Sequence, residues 1–401
     1  MSRRGLLDAT IVGAGPVGAA LALALAKDGL SIALVEASEP SPWSAEAEID
    51  ARVVALASDS IGLLSDLDVW RDISNLRASP YRRMTVWDGL APGTLTFDAA
   101  ERGEAALGAI VENRLIQFVL WQALQQHSSG AATNAVQLRC PSRVVAIESN
   151  VDSVSVQLDD GDALRCKTLI AADGGGSGLR ELAGIGTRGH AYDQRAVVAH
   201  VTTTRPHKHT AWQRFLSGGP LAFLPLADGR CSIVWSLPDD EAQRILALDD
   251  EPFLAELGCA LDMRLGPITA TTPRAAFPLR LKLAERYVAG RCVLVGDAAH
   301  VVHPLAGQGM NLGFRDVMCL RRELTGAVKR GVDPGSAHVL RRYERERRSE
   351  NTVGAYGLDL IDKVYGRDSL ALATLRGAAL GIAGRLAPLR RRLADAAAGR
   401  L

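Results

Sequence analysis

The chain predicts a two-lobed α/β fold: a parallel-stranded lobe, a lobe built on an antiparallel sheet, and C-terminal helices. Three observations carry that reading. The string Gly13-Ala-Gly15-Pro16-Val17-Gly18 stands between an apolar strand-like run and an Ala/Leu-rich helical run. Two later apolar runs end in an acid beside a glycine, at Asp173-Gly174 and Gly296-Asp297. Between them, residues 190–278 change to short β-rich pieces broken by Gly/Pro turns.

The first lobe starts with Asp8-Ala-Thr-Ile-Val as a strand. Gly13 permits a tight turn, Gly15 lets a pyrophosphate approach the backbone, and Gly18 lets the following helix pack closely on the strand. The helix N-terminus adds positive potential for phosphate, and Asp28-Gly29 suits its C-terminal end. Ser31-Ile-Ala-Leu-Val-Glu36 is a second strand whose terminal carboxylate lies 23 residues after Gly13, where it can accept from a ribose diol. This is a Rossmann-like dinucleotide fingerprint in its strand–helix–strand context, and by itself it fits FAD and NAD(P) alike. Farther on, Asp173 and Asp297 at strand ends suit polyol hydroxyls. The backbone N–H groups of Gly307-Gln308-Gly309, at the start of another helix, suit negative charge on a ring carbonyl.

The second lobe is read from Arg195-Ala-Val-Val-Ala-His-Val-Thr and Cys231-Ser-Ile-Val-Trp, with turns at Ser217–Pro220 and Asp228-Gly229. Residues 80–100 add strands, and the sheet is expected to end near Pro278. Pro238–Asp250 reads as a solvated amphipathic helix. The boundaries are therefore 1–78, 102–189 and 279–365 for the discontinuous nucleotide lobe, 79–101 and 190–278 for the sheet lobe, and 366–401 for a helical tail. From Ser369 onward the tail carries six arginines against one acid, Asp395. Two readings of it stay open: a helix docked on the body with a solvated basic end, or an interfacial helix on an anionic membrane.

Composition narrows the function classes. The chain has 401 residues, 47% hydrophobic and 23% charged, which is ordinary for a globular protein. Its 46 basic and 45 acidic residues nearly cancel, arguing against nucleic acid as the main partner. Six scattered cysteines without a CxxC pair read as reduced thiols of a cytoplasmic protein. The run Pro16–Ala26 is too short to span a bilayer, and Asp8 and the glycines argue against Arg3-Arg4 as an export signal. The pairs His300/His303 and His207/His209 lack a third ligand at suitable spacing, so no metal is expected. No GxSxG elbow supports hydrolase chemistry. Trp212, Phe223 and Pro225 are the candidates for lining a substrate pocket.

The order GxGxxG, Asp173-Gly174, Gly296-Asp297 resembles the FAD-dependent aromatic hydroxylases, the group A flavoprotein monooxygenases. Several further strings are similar to the UbiH/UbiF/UbiI-type hydroxylases of ubiquinone biosynthesis: Asp50-Ala-Arg52-Val-Val-Ala-Leu, Ser79-Pro-Tyr-Arg-Arg-Met, Val111-Glu-Asn113-Arg114, Gly219-Pro-Leu-Ala-Phe-Leu-Pro-Leu, Val295-Gly-Asp-Ala-Ala-His300 and Arg341-Arg-Tyr343-Glu-Arg-Glu-Arg347. The likeness runs over roughly residues 7 to 365 and is weakest after Tyr365.

The resemblance implies that Gly13, Gly15, Pro16, Val17, Gly18 and Glu36 hold the ADP half of FAD, and that Arg52 and Arg114 contact its phosphates or ribityl chain. It gives Asp173 and Gly174 to a shared flavin and NAD(P)H motif and Asp297 to the ribityl, with Gly296 and Ala299 beside it also binding the cofactor. Pro304, Gly307, Gln308, Gly309, Met310 and Asn311 would cradle and position the flavin ring; no side-chain base is identified. The implied reaction is hydroxylation of a polyprenylphenol ring by NAD(P)H and O₂ through a flavin C4a-hydroperoxide, in a protein that is cytoplasmic or peripheral on the inner membrane and works within a ubiquinone-biosynthesis assembly. Different strings resemble the members acting at ring carbons C5 and C1. The alternatives are a hydroxylase of a soluble aromatic or polyketide on the same fold, and a non-catalytic FAD-binding subunit.

Overall fold

The computed structural model describes residues 5–90, 93–129, 136–302 and 308–365. At its centre the strand Leu6–Val12 lies parallel to Ile32–Val35 on one side and to Ala163–Ala171 on the other. Cys292–Leu294 continues this parallel sheet beyond Ala163–Ala171, and Gln137–Arg139 extends it beyond Ile32–Val35. Strands with both faces covered read as unbroken apolar runs, and Ile32–Val35 and Cys292–Leu294 are buried at every residue. The helix Pro16–Lys27 is likewise apolar all round, with Gly18–Ala26 all buried. It is packed between this sheet and the helices Asn113–Ser129 and Gln308–Lys329. It ends as the sequence suggests, with Asp28 as C-cap and Gly29 left-handed at φ 88°.

The parallel register places the strand ends level: Val12 opposite Ala171, and Ala171 opposite Leu294. The segments starting at Gly13, Ala172 and Val295 therefore leave the sheet side by side at its carboxyl edge, where α/β folds open their binding crevice.

The second sheet runs, in spatial order, His300–Val301, Ala275–Ala284, Thr187–Thr203, Cys231–Pro238, Gly219–Pro225, Thr210–Leu216, Arg83–Asp88 and Thr94–Asp98, with Ile268–Thr271 also paired to Thr187–Thr203. Pairing is antiparallel except between Arg83–Asp88 and Thr210–Leu216, which run parallel. The sequence suggests short pieces after residue 190. Instead Thr187–Thr203 is one long strand, kept continuous by an irregularity between Ala191 and Arg195 where Asp193 adopts φ 53°. The boundary expected near Pro278 falls inside the strand Ala275–Ala284, which stays in the sheet to Ala284 by pairing with Thr187. Ser79–Tyr81 belongs to a separate small sheet with Gly108–Glu112 and Val53–Ala57.

The stretch read as a solvated helix forms Asp239–Ala247, followed by Asp250–Ala260. These cover one face of the second sheet, with Ile245, Phe253 and Leu257 packed into one apolar cluster with Phe223 and Ile233. After Leu294 the chain leaves the first sheet and by His300 has joined the second. This short crossing, through Gly296 and Asp297, stitches the two sheets together beside the site.

Candidate active site

Gly13 has φ 107°, and a Cβ there would lie 2.4 Å from the Ala172 carbonyl oxygen. At Gly18 a Cβ would fall 2.0 Å from the Gly13 oxygen. The turn thus closes only with glycine at both positions. Gly15 differs, since a Cβ there meets nothing within 4 Å. It N-caps the helix Pro16–Lys27 with no side-chain cap and no acid in the first turn, so the helix start is left to an anion from outside.

That open space belongs to a cavity of about 580 Å³ between the two sheets. Gly15, Pro16, Val17, Arg52, Gly174 and Asp297 line it on the nucleotide side, with Gly309 and Met310 from the start of the helix Gln308–Lys329. Arg52 stacks over Phe277, its guanidinium carbon 5.7 Å from the ring centre. The Asp297 side chain reaches open space yet is hemmed in by protein. That desolvation raises its carboxyl above the usual carboxylate value, against the pull of His300 and Arg52. Tyr81 also lines the cavity, and burial pushes its hydroxyl up to about 12, so it stays protonated at neutral pH and is no base.

Other residues expected at the site do not line this cavity. Glu36 accepts from the Ala14 amide at 2.5 Å and from the Ser38 amide at 3.2 Å, bracing the Gly13–Gly18 turn from the end of its own strand. Arg114 donates to the Pro42 carbonyl at 2.8 Å, while its neighbour Asn113 lines the cavity. Asp173 accepts from Ser177 Oγ at 2.5 Å and the Leu179 amide at 3.0 Å, so its carboxylate is spent on the helix Gly178–Leu182. Asn311 is fully buried. Its oxygen accepts from the Ala57 amide and Ser60 Oγ, and its nitrogen donates to the Ala55 carbonyl, clamping the long helix to the strand Val53–Ala57. Ala299 is buried and donates to the Gly296 carbonyl. Gln308 opens its helix, and Pro304 and Gly307 lie outside the described residues.

On the sheet side the expectation shifts by one residue. Pro220, Ala222 and Leu224 line the cavity, whereas Phe223 and Pro225 do not; Phe223 is fully buried in the cluster under the helices. Alternate residues of a strand face opposite ways, so this strand can present only one of the two sets. Trp212 borders the cavity and packs edge-on to Trp87, with ring centres 6.2 Å apart.

Three groups that carry the geometry lie outside the sequence-based expectations. Asp316, fully buried, accepts from the Gly296 amide at 3.0 Å, pairs with His300 Nε2 at 2.6 Å, and is held on its other oxygen by Arg347 Nε at 2.8 Å and Asn351 Nδ2 at 3.1 Å. Glu112 accepts from the Asp50 amide at 2.7 Å and from Trp43 and Arg77, fixing the loop that leads to Arg52. Arg180 donates to the Ala298 and Gly175 carbonyls, joining the two acid–glycine turns. His300 is thus the partner of a carboxylate, and no group of three metal-ligating side chains occurs among the described residues. All six cysteines are free, four of them buried.

A glycine turn opening onto a helix start, the Asp297 carboxylate and a second helix start converging on one cavity are the features of a dinucleotide-binding protein of the flavin type. The chain belongs to the family described as "FAD binding domain", whose model matches residues 7–352. It is 36% identical over 392 residues to the 3-demethoxyubiquinol 3-hydroxylase of Escherichia coli, covering 98% of each chain. It is 37% identical over 384 residues to the ubiquinone hydroxylase UbiL of Rhodospirillum rubrum, covering 96% of this chain and 87% of the relative. Among solved structures it shares the fold of p-nitrophenol 4-monooxygenase PnpA from Pseudomonas putida, with a TM-score of 0.75, 20% identity and 98% coverage of each chain. FAD is the cofactor, and the open cradle at Gly15 continuing to Asp297 fits it.

Proposed function

We propose that the protein is an FAD-dependent monooxygenase that hydroxylates the aromatic ring of a polyprenylphenol intermediate of ubiquinone biosynthesis, with NAD(P)H as electron donor and O₂ as oxygen source. The observation that carries this reading is the single cavity running from the phosphate turn to an apolar sheet wall. Bound flavin, once reduced, supplies the means of activating O₂ and inserting one oxygen atom into the ring. The chain does the rest. The start of the helix Pro16–Lys27 holds the phosphates, Arg52 and Asp297 hold the polyol, and the start of the helix Gln308–Lys329 holds negative charge on the flavin ring. Ala222, Leu224 and Val234 keep water from the ring-facing side, which suppresses unproductive loss of the activated oxygen.

Asp297→Ala tests the cofactor half of this reading. The variant is expected to purify colourless, with less than a tenth of the wild-type flavin; a stoichiometric flavin content measured by absorbance overturns the assignment of Asp297.

A substrate with a polyprenyl chain resides in a bilayer, and among the described residues no helix is long and apolar enough to cross one. We place the basic tail, residues 366–401, on an anionic membrane surface. Its structure lies outside the described residues; its charge is the support. Protein lacking the tail should no longer pellet with anionic liposomes, and pelleting equal to the full chain rejects the role.

A further inference from the structure

The cavity wall contributed by Thr210–Leu216, Gly219–Pro225 and Cys231–Pro238 is small and mostly apolar, built on Ala211, Ala222, Leu224 and Val234. Alanines in the middle of a sheet leave depth for a flat ring. Gln213 breaks the pattern. It stands opposite Ala222 on the same face, lines the cavity and is only 6% exposed. Its carboxamide makes no hydrogen bond among the described residues, although it is not sealed from the cavity. The other polar side chain on this part of the wall, Ser236, lies two strands away.

Buried amides are nearly always paired, and leaving one unpaired costs about 1–3 kcal/mol. Cavity water meets that need until a ligand displaces it, so a ligand seated against this wall must replace the water's hydrogen bonds. A carboxamide both donates and accepts and carries no charge. It therefore matches a hydroxyl or alkoxy oxygen on an aromatic ring. A carboxylate would call for a cation, and these three strands present none to the cavity.

We propose that Gln213 is the specificity-determining anchor for an oxygen substituent on the substrate ring, an inference that rests on the hydroxylase reading above. The rejection of oxygen-free rings then follows from the amide that such a ring would leave unpaired.

The test titrates flavin-loaded enzyme with a short-chain prenylphenol and with the matching prenylbenzene, following the flavin absorbance spectrum. Wild type should bind the phenol at least tenfold tighter. Gln213→Leu should weaken phenol binding about tenfold and leave the prenylbenzene unchanged, so that the preference disappears while flavin content stays stoichiometric. Gln213→Met, closer in length, repeats the measurement if the leucine variant does not fold. Equal weakening of both ligands, an unchanged phenol affinity, or no preference in wild type overturns the anchor. Phenol binding that depends on Gln213 without phenol-stimulated NAD(P)H oxidation by wild type would instead overturn the hydroxylase reading and leave the anchor standing.

Discussion

Arg347→Leu is expected to destabilise the protein by about 3–5 kcal/mol at neutral pH, because removing one partner of a buried ion pair leaves the other charge uncompensated. Arg347 and Asp316 are both almost fully buried and meet at 2.8 Å. Burial alone would raise the Asp316 carboxyl, yet His300 and Arg347 beside it bring it down to about 2. A carboxyl depressed in the folded state contributes stability that is complete above its unfolded value, about 4, and is lost as pH falls toward 2. Without Arg347 the folded value rises, so acid unfolding moves to higher pH. Denaturant titration at pH 7 and an acid titration followed by circular dichroism read both effects. A cost below about 1 kcal/mol together with an unmoved acid midpoint contradicts the pairing. Flavin is expected to go as well, since the same carboxylate holds the Gly296 amide next to Asp297.

Gly13→Ala is expected to cost about 3 kcal/mol or more, summing backbone strain at φ 107° and a Cβ 2.4 Å from the Ala172 oxygen. Two strands are pushed apart at the site's centre, so soluble yield and flavin content fall together. Gly15→Ala separates the two contributions. Gly15 has an ordinary extended backbone, φ −62° and ψ 171°, and free space where its Cβ would stand. That variant should melt like wild type yet bind flavin about tenfold or more weakly, because the methyl takes the space the pyrophosphate needs. Wild-type flavin affinity in Gly15→Ala, measured by fluorescence titration of the apoprotein, contradicts the cradle. Wild-type stability in Gly13→Ala contradicts the turn.

The strand–helix–strand at the start of the chain was fully legible in sequence, because its signals are local: apolar runs, three glycines at fixed spacing and a terminal Gly29. The strand that ends at Gly296-Asp297 was legible for the same reason, whereas its crossing into the second sheet at His300 was not. What braces these turns was not. Asp316 and Arg347 are separated by 31 positions, Glu112 and the Asp50 amide by 62, and Asn311 and Ala57 by 254. No periodicity announces such partners. Asn311 and Asp173 carry the expected motif identities, but their polar atoms are taken up within the protein: those of Asn311 by Ala55, Ala57 and Ser60, which only the folded chain brings near, and those of Asp173 by Ser177 and Leu179 in the turn that follows it. The pocket-facing side of Gly219–Pro225 was illegible for another reason. With Pro, Leu, Ala, Phe, Leu and Pro in succession it has no polar residue to mark an outer face, so a period of two cannot be read. The large aromatic Phe223 is therefore the conspicuous residue in the sequence, although Ala222 is the one that lines the cavity.

The division along that strand bears on how such a protein changes over generations. Leu221 and Phe223 hold the helix-covered core, while Pro220, Ala222 and Leu224 face the space where a ligand would sit. Substitutions on the second set can reshape the ring pocket with little loss of packing, and those on the first set open a core cavity without touching a ligand. Ligand preference and durability are thus inherited on opposite sides of one ribbon, and a lineage can explore new aromatic rings without first becoming fragile.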